Sequence, residues 1–478
     1  MTDPAASIRQ ESVSKASGAK LRVLHFVPRI CWPLDTGAKL RNYHLAREIA
    51  QRASITLLTF SENVERAGEN ISTRHLANRQ PENPPAERKQ QESSVEPHLP
   101  DPGSFYEQVI TVRRDRGYTV TKIVRGAIGR TPLPVLNYTT RGMKQELARI
   151  LDEQDFDIVQ VESIHLADYL PIIRAARGRP LVVCDWHNIE SELMRRYSER
   201  ASNPLRRTYA RRASRQMIAL ERRVTHEFDA HIAVSHRDAA KLLALAPGAR
   251  VFVIENGVDT AYYADARIER AHAAWLAQDN NRAAANPSGP RRIAFVGSMD
   301  YHANADAAAH FAREVWPRLR LRQPELIFSI VGRDPAPEVR QLAEIPGVEI
   351  TGTVDDVRPY YYETLAAIIP LRVGGGSRLK ILEAMAAGVP VVSTPLGAEG
   401  LDVEHGQNII LAETGEELCE AIIAVSENDE QRKRLIDAGR ALVSEHYDWS
   451  RLGAALFETY QSLLGDGEAA HVKTHQLS

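Results

Sequence analysis

Cysteine is nearly missing from this chain. Cys31, Cys184 and Cys419 are far apart and form no C-x-x-C pair. That excludes a disulfide framework and a cysteine-ligated structural zinc site, and a reducing compartment is the expectation. Charge imbalance is missing too. Sixty Lys and Arg face 62 Asp and Glu, a formal net charge of −2. No global field draws nucleic acid, so an anionic ligand must be held by a local basic cluster. The first twenty residues, MTDPAASIRQESVSKASGAK, lack the apolar stretch of a signal peptide. No apolar run reaches the roughly 18 residues that span a bilayer, and a cytoplasmic location is expected. No G-x-G-x-x-G follows Phe26 or Phe295, and no G-K-[ST] loop occurs, which disfavours a dehydrogenase and a P-loop enzyme. No D-x-D follows a strand, where a divalent cation would be held. Asp355 and Asp356 are adjacent and precede VRPYY, which suits helix N-capping. No metal site is expected.

What is present is alternation. LRVLHFV (21–27), SITLLTF (54–60), QVITV (108–112), DIVQV (157–161), PLVVCD (180–185), DAHIAV (229–234) and VFVI (251–254) are short apolar runs separated by helical patterns, the first of them 39–51. Continuous apolar runs joined by helices indicate parallel strands buried on both faces. A second set follows: RIAFV (292–296), LIFSIV (326–331), VEIT (348–351), AAII (366–369), VPVVS (389–393) and NIIL (408–411). The expected fold class is α/β, two Rossmann-like doubly wound parallel-sheet domains facing a cleft. The expected organisation is a loose tail (1–20), a first domain (21–261), a linker (262–290), a second domain (291–446), a helix crossing back to the first domain (447–465) and a tail (466–478). Residues 62–104 are Pro- and Glu-rich with few large apolar side chains and read as a disordered insertion.

The most informative stretch is LRVGGGSRLKILEAMAAGVPVVST (371–394). Gly374, Gly375 and Gly376 follow a strand and open a helix. Glycines there permit the φ > 0 turns that converge N–H groups on one point. The helix N-terminus behind them adds about half a positive charge, suited to phosphate oxygens. Ser377 is an added donor. Arg378 and Lys380 are read in the first turn, where cations oppose the dipole unless an anion binds. Glu383, three residues beyond Lys380, shares its side of the helix and suits two ribose hydroxyls. Gly388 ends the helix at C′, with Pro390 after it. On the residues alone, a plain flexible turn with a solvated Lys380–Glu383 pair stays open.

These motifs carry a resemblance. KILEAMAAGVPVVST (380–394), IENGVD (254–259), FVGSMDYHANADA (295–307), IVG (330–332), TGTVDDVRPYY (351–361) and DWHN (185–188) stand in the order found in glycosyltransferase family 4. The chain resembles that large retaining group with the GT-B fold, in the variety used for bacterial exopolysaccharide assembly. The resemblance implies a nucleotide-sugar donor, UDP or GDP type, held mainly by the second domain, an acceptor held mainly by the first, and no cofactor. It implies Glu383 on the ribose, Gly332 and Val354 beside the base, and His187 beside the transferred sugar. Gly37 then faces donor phosphates and acceptor. Two departures stand out. The family's E-x7-E is broken by Gly375, and the G-R with a nearby lysine after the RIAFV strand is replaced by Gly297 and Ser298. Arg378 and Lys380 are expected to replace the missing cations, so catalysis is assigned to His187, Arg378 and Lys380. Arg41 and Lys39, close to Gly37, either meet phosphates or form a solvated helix face; Arg41 is taken as substrate-binding. His165 and His25 rank lower.

The stretch 194–224 holds ten arginines and two glutamates among Tyr, Met, Leu and Ile. It reads as a helix that either lies on anionic lipid, on the inner face of the plasma membrane, or is a plain charged exterior. Either way, no nucleic-acid platform accompanies it. The expected function is transfer of a sugar to a saccharide or lipid-linked acceptor, retaining and metal-independent. Two alternatives stay open: a nucleotide-sugar epimerase on the same fold, and an inactive nucleotide-sugar-binding partner subunit.

Overall fold

The computed structural model describes residues 20–34, 36–61, 104–114, 119–200, 203–264, 291–362, 364–373 and 378–465. The insertion and both tails, almost in full, and most of the linker lie outside these residues. So do Gly374, Gly375, Gly376 and Ser377.

The apolar runs form two parallel sheets. The first contains β1 (Leu21–Val27), β2 (Ala53–Ser61), β3 (Gln108–Arg113), β4 (Ile158–Glu162), β5 (Leu181–Trp186), β6 (Ala230–Ala233) and β7 (Val251–Val253), in the order β3-β2-β1-β4-β5-β6-β7. The second contains β8 (Arg291–Val296), β9 (Leu326–Val331), β10 (Val348–Gly352), β11 (Thr364–Ile369), β12 (Val391–Ser393) and β13 (Ile410–Leu411), ordered β10-β9-β8-β11-β12-β13. Each order reverses once, between β1 and β4 and between β8 and β11. A crevice opens beyond the strand C-termini at such a reversal, because the flanking helices go to opposite faces. β1 pairs β4 with Val23 opposite Ile158 and Phe26 opposite Val161, which brings their C-terminal ends together.

The helix Trp449–Gly465 belongs to the core of the first domain. Trp449, Leu452, Leu456, Tyr460 and Leu463 pack with Val23, Tyr43, Ile49 and Ile55. Gly453 lies flush on the helix Gly37–Ala50, because a Cβ there would meet the Glu48 Cβ at 2.2 Å. Trp449 stacks on His44 at 5.3 Å.

Two expectations about helices change. The first helix starts at Gly37, two residues early, because Thr36 caps it by accepting from Lys39 N. The basic stretch is two helices, Glu190–Arg200 and Pro204–Val224. The second starts afresh because Pro204 has no N–H to continue the first, and Asn203 caps it through Leu205 N and Arg206 N.

Candidate active site

The second domain offers a close backbone contact and a cation above it. Gly332, after β9, has φ +152, and a Cβ there would lie 1.7 Å from the Gly297 carbonyl oxygen. Only glycine lets the ends of β8 and β9 come this close. Gly297 in turn has no room for a side chain: a Cβ would be 2.9 Å from Asn304 Nδ2 and 3.2 Å from Lys380 Nζ. Lys380 Nζ donates to Asn304 Oδ1 at 2.6 Å and lies 4.9 Å from the Phe295 ring centre. Burial, aided by the charge of Arg378 and opposed by that of Glu383, brings the Lys380 pKa down to about 7. Burial raises the Glu383 pKa against the pull of Lys380 and Tyr361. The Tyr361 hydroxyl lies 3.4 Å from Glu383 Oε2. Lys380 and Glu383 therefore sit on the first turns of the helix Leu379–Ala386, a cation and a carboxylate both poor in water. Gly388 ends that helix with φ +74.

Between the domains lies a cavity of about 580 Å³. From the first domain it is lined by His187, Leu193, Met194, Arg196, Tyr197 and Arg237, and from the second by Tyr301, Arg378, Glu399 and Leu401. Glu399 ties the two sides together. It pairs with Arg237 and, at 3.9 Å, Arg196 across the cleft, and with Arg378 at 3.5 Å on its own side. His187 follows β5, and its Nε2 donates to Glu162 Oε2 at 2.7 Å.

Two family models match the chain: that for glycosyl transferases group 1 over residues 290–428, and that for Glycosyltransferase Family 4 over residues 99–262. The chain belongs to glycosyltransferase family 4. Among relatives of this family, a phosphatidyl-myo-inositol mannosyltransferase of Mycobacterium tuberculosis is 27% identical over 235 residues, 47% of this chain and 57% of that protein. A glycogen synthase of the same species is 26% identical over 259 residues, 52% of this chain and 57% of that protein. The chain thus matches little more than half the length of these curated relatives. The GT-B fold expected of family 4 is seen in solved neighbours. Anabaena HepE in complex with UDP and glucose superposes with a TM-score of 0.56 at 16% identity, covering 92% of this chain and all (100%) of that one. Sucrose-phosphate synthase from Thermosynechococcus elongatus superposes with a TM-score of 0.60 at 14% identity, covering 93% and 99%.

Within this family 4 chain, the described residues singled out from the sequence separate in space. Gly297, Gly332, Lys380 and Glu383 cluster at the end of the second sheet, and His187 and Arg378 line the cleft. Val354 lines a separate surface pocket with Thr351, Thr353, Asp355, Asp356, Pro359 and Tyr360, and Asp356 accepts from Arg358 N at 2.9 Å, a capping role. Gly37 is the first residue of its helix and is not among the cavity-lining residues.

Arg41 is a correction. It is 1% exposed, and its guanidinium makes two bonds to Asp185, at 3.0 and 3.2 Å, and one to Glu255 O at 2.7 Å. It is a buried strut between the first helix and β5, with no face left for a phosphate. For Arg378 only the local geometry changes, since it lines the cleft but is not in the first turn. It precedes the helix in the left-handed region at φ 54, and its Nε donates to Glu399 O at 3.3 Å. Its guanidinium faces Glu399 and the cleft, so of these two cations it is Lys380 that lies over Gly297.

Three polar side chains of the candidate site were not singled out from the sequence: Glu162, Asn304 and Glu399. Glu162, Asp185 and His187 have donor atoms within 4.8 Å of one another, as a metal would need. The charges there are already matched, Asp185 by Arg41 and Glu162 by imidazole N–H groups. The available signal was a polar side chain inside an apolar strand near its C-terminal end, as in DIVQVE.

Proposed function

We propose that the protein transfers a glycosyl residue from a UDP- or GDP-type nucleotide sugar to a saccharide or lipid-linked acceptor, with retention and without a metal ion, in polysaccharide or glycoconjugate synthesis. The observation that carries this is Lys380 Nζ above the Gly297–Gly332 contact, at the start of a helix whose preceding residue, Arg378, lines the same cleft as His187. A departing diphosphate needs its growing negative charge stabilised, and a desolvated ammonium with a helix N-terminus supplies that without reorganisation. Glu383 accepts from the ribose hydroxyls, the pocket around Val354 takes the base, and His187 contacts the sugar. Support comes from a mannosyltransferase among the relatives and from the UDP and glucose named in the HepE complex.

The test is thermal shift against a panel of nucleotide sugars, including UDP-glucose and GDP-mannose, with EDTA present. At least one donor is expected to raise the melting temperature in EDTA. Stabilisation that appears only when Mg²⁺ or Mn²⁺ is restored removes the metal-independent mechanism, and no response to any donor removes the donor reading.

A lipid-side acceptor has separate support. The helix Val120–Ile128 leaves Val120 and Ile128 more than three-quarters exposed, at 76% and 78%, and Leu205 on the neighbouring helix is 81% exposed. Gln216 Nε2 donates to Gly126 O and Gly129 O, which joins this helix to the arginine-rich one. No described helix is long and apolar enough to cross a membrane. Apolar tips among arginines suit the surface of an anionic bilayer. The chain is expected to float with phosphatidylcholine vesicles only when they contain phosphatidylglycerol, and to be released by high salt. Flotation equal in both, or in neither, retires this attachment.

A further inference from the structure

The end of β4 carries a carboxylate to which the donor reading gives no task. Glu162 is 1% exposed. His25 Nε2 approaches its Oε1 at 2.9 Å, Gln160 Nε2 donates to the same oxygen, and His187 Nε2 reaches Oε2 at 2.7 Å. With its amide nitrogen turned inward, Asn42 reaches Oε2 at 3.0 Å, His187 Nε2 at 3.1 Å and Ala38 O at 3.2 Å, and with Nε2 protonated it donates to Oε2. Four donors match the lone-pair capacity of one ionised carboxylate. Burial opposes that ionisation, but the bonds from His187 and His25 outweigh it and hold the Glu162 pKa below the usual carboxylate range.

The two imidazoles are not equivalent. His25 Nδ1 faces the Tyr106 hydroxyl at 2.9 Å. Both ring nitrogens of His25 therefore have protein partners. His187 Nδ1 bonds to no described residue, and His187 lines the cleft cavity. Its charged surroundings are Glu162 on β4, Asp185 on β5, Arg41 on the first helix, Glu190 at the start of the next helix, and His165 after β4. Arg41 already neutralises Asp185. One negative charge is left for His187 to match.

We propose that Glu162 is a positioning residue that fixes His187 as an imidazolium, with Nε2–H on the carboxylate and Nδ1–H offered to an oxygen of the donor sugar or its phosphate. The assignment rests on the cleft being the donor site. A neutral ring held through Nε2–H would present a bare Nδ1, an acceptor, and would repel an anionic oxygen. Burial favours the neutral ring, yet the bond and charge of Glu162, with the charge of Asp185, raise the His187 pKa.

The test uses the full chain labelled with ¹⁵N-histidine, with spectra followed from about pH 5 to about pH 9. The His187 signals are identified by their loss in His187→Asn. Both His187 nitrogens are expected to be protonated at neutral pH. In Glu162→Gln the titration midpoint is expected to fall by about one pH unit or more, exposing a bare Nδ1. His25→Gln, which removes the competing ring, is expected to leave His187 charged. A singly protonated His187 at neutral pH in the unaltered chain overturns the proposal, as does an unmoved midpoint in Glu162→Gln. Should Glu162→Gln fail to fold, the unaltered chain and His25→Gln still decide. No donor is needed, so this outcome is independent of the thermal-shift panel.

Discussion

Lys380→Met is expected to abolish donor binding and turnover while leaving the unliganded protein no less stable than the parent at pH 6. The two halves have one cause. Nζ is partly buried, with Asn304 Oδ1 as its neutral partner and Glu383 as its nearest opposite charge. Desolvation therefore depresses its pKa from 10.5 to about 7. An unfolded lysine binds more protons than the folded one between these values, so stability rises with pH across that window, and the penalty is complete below about pH 7. Each pKa unit corresponds to about 1.4 kcal/mol. Methionine removes the penalty and loses one hydrogen bond worth about 1 kcal/mol. A diphosphate reverses the balance by holding the ammonium protonated. Binding must then take up a proton above pH 7, and affinity is expected to fall about tenfold per pH unit there. Calorimetry with a stabilising donor at pH 6.5, 7.5 and 8.5, in buffers of different ionisation heat, reads both the slope and the proton uptake. An affinity flat across that range, or a Lys380→Met variant that still binds, shows that this ammonium does not meet the diphosphate.

The sheets were legible because parallel strands are buried on both faces, so runs such as LVVC and LIFSIV announce themselves without partners. The GT-B arrangement was likewise legible, since two such sets in series close on one cleft. The start of the helix Leu379–Ala386 was less so. A cation pair at 378 and 380 reads as one patch, yet Arg378 adopts a left-handed conformation that swings it to Glu399, 21 residues on, and only Lys380 reaches Gly297. Arg41 misled for a related reason. An arginine beside a glycine-containing loop looks solvent-facing until Asp185, 144 positions away, is brought against it. Glu162 was hidden in DIVQVE because its partners are His25 on β1 and His187 just after β5, an arrangement that the β1–β4–β5 order creates. Local chemistry was readable where it depended on neighbours in sequence, and unreadable where the partner arrives through sheet order.

The largest loss of stability is expected from Gly332→Ala. The added methyl would start 1.7 Å from the Gly297 carbonyl oxygen and 2.7 Å from its carbon. Both are backbone atoms at the end of a central strand, and Gly297 N is itself bonded to Val331 O at 2.9 Å. Neither β8 nor β9 can retreat without breaking that pairing, and φ +152 adds strain for any side chain. A destabilisation of about 4 kcal/mol or more is expected, at the extreme of single substitutions. Gly406→Ala separates the two contributions. Gly406 has φ +78 with nothing within 4 Å of the added carbon, so it carries backbone strain alone, roughly 1–2 kcal/mol. Denaturant melts of the two variants should therefore differ by at least about 2 kcal/mol. Equal losses would mean that the strands can part at their ends. The floor beneath Lys380 would then be compliant, and a side chain at 332 would be accommodated by moving the surface on which the diphosphate is meant to rest.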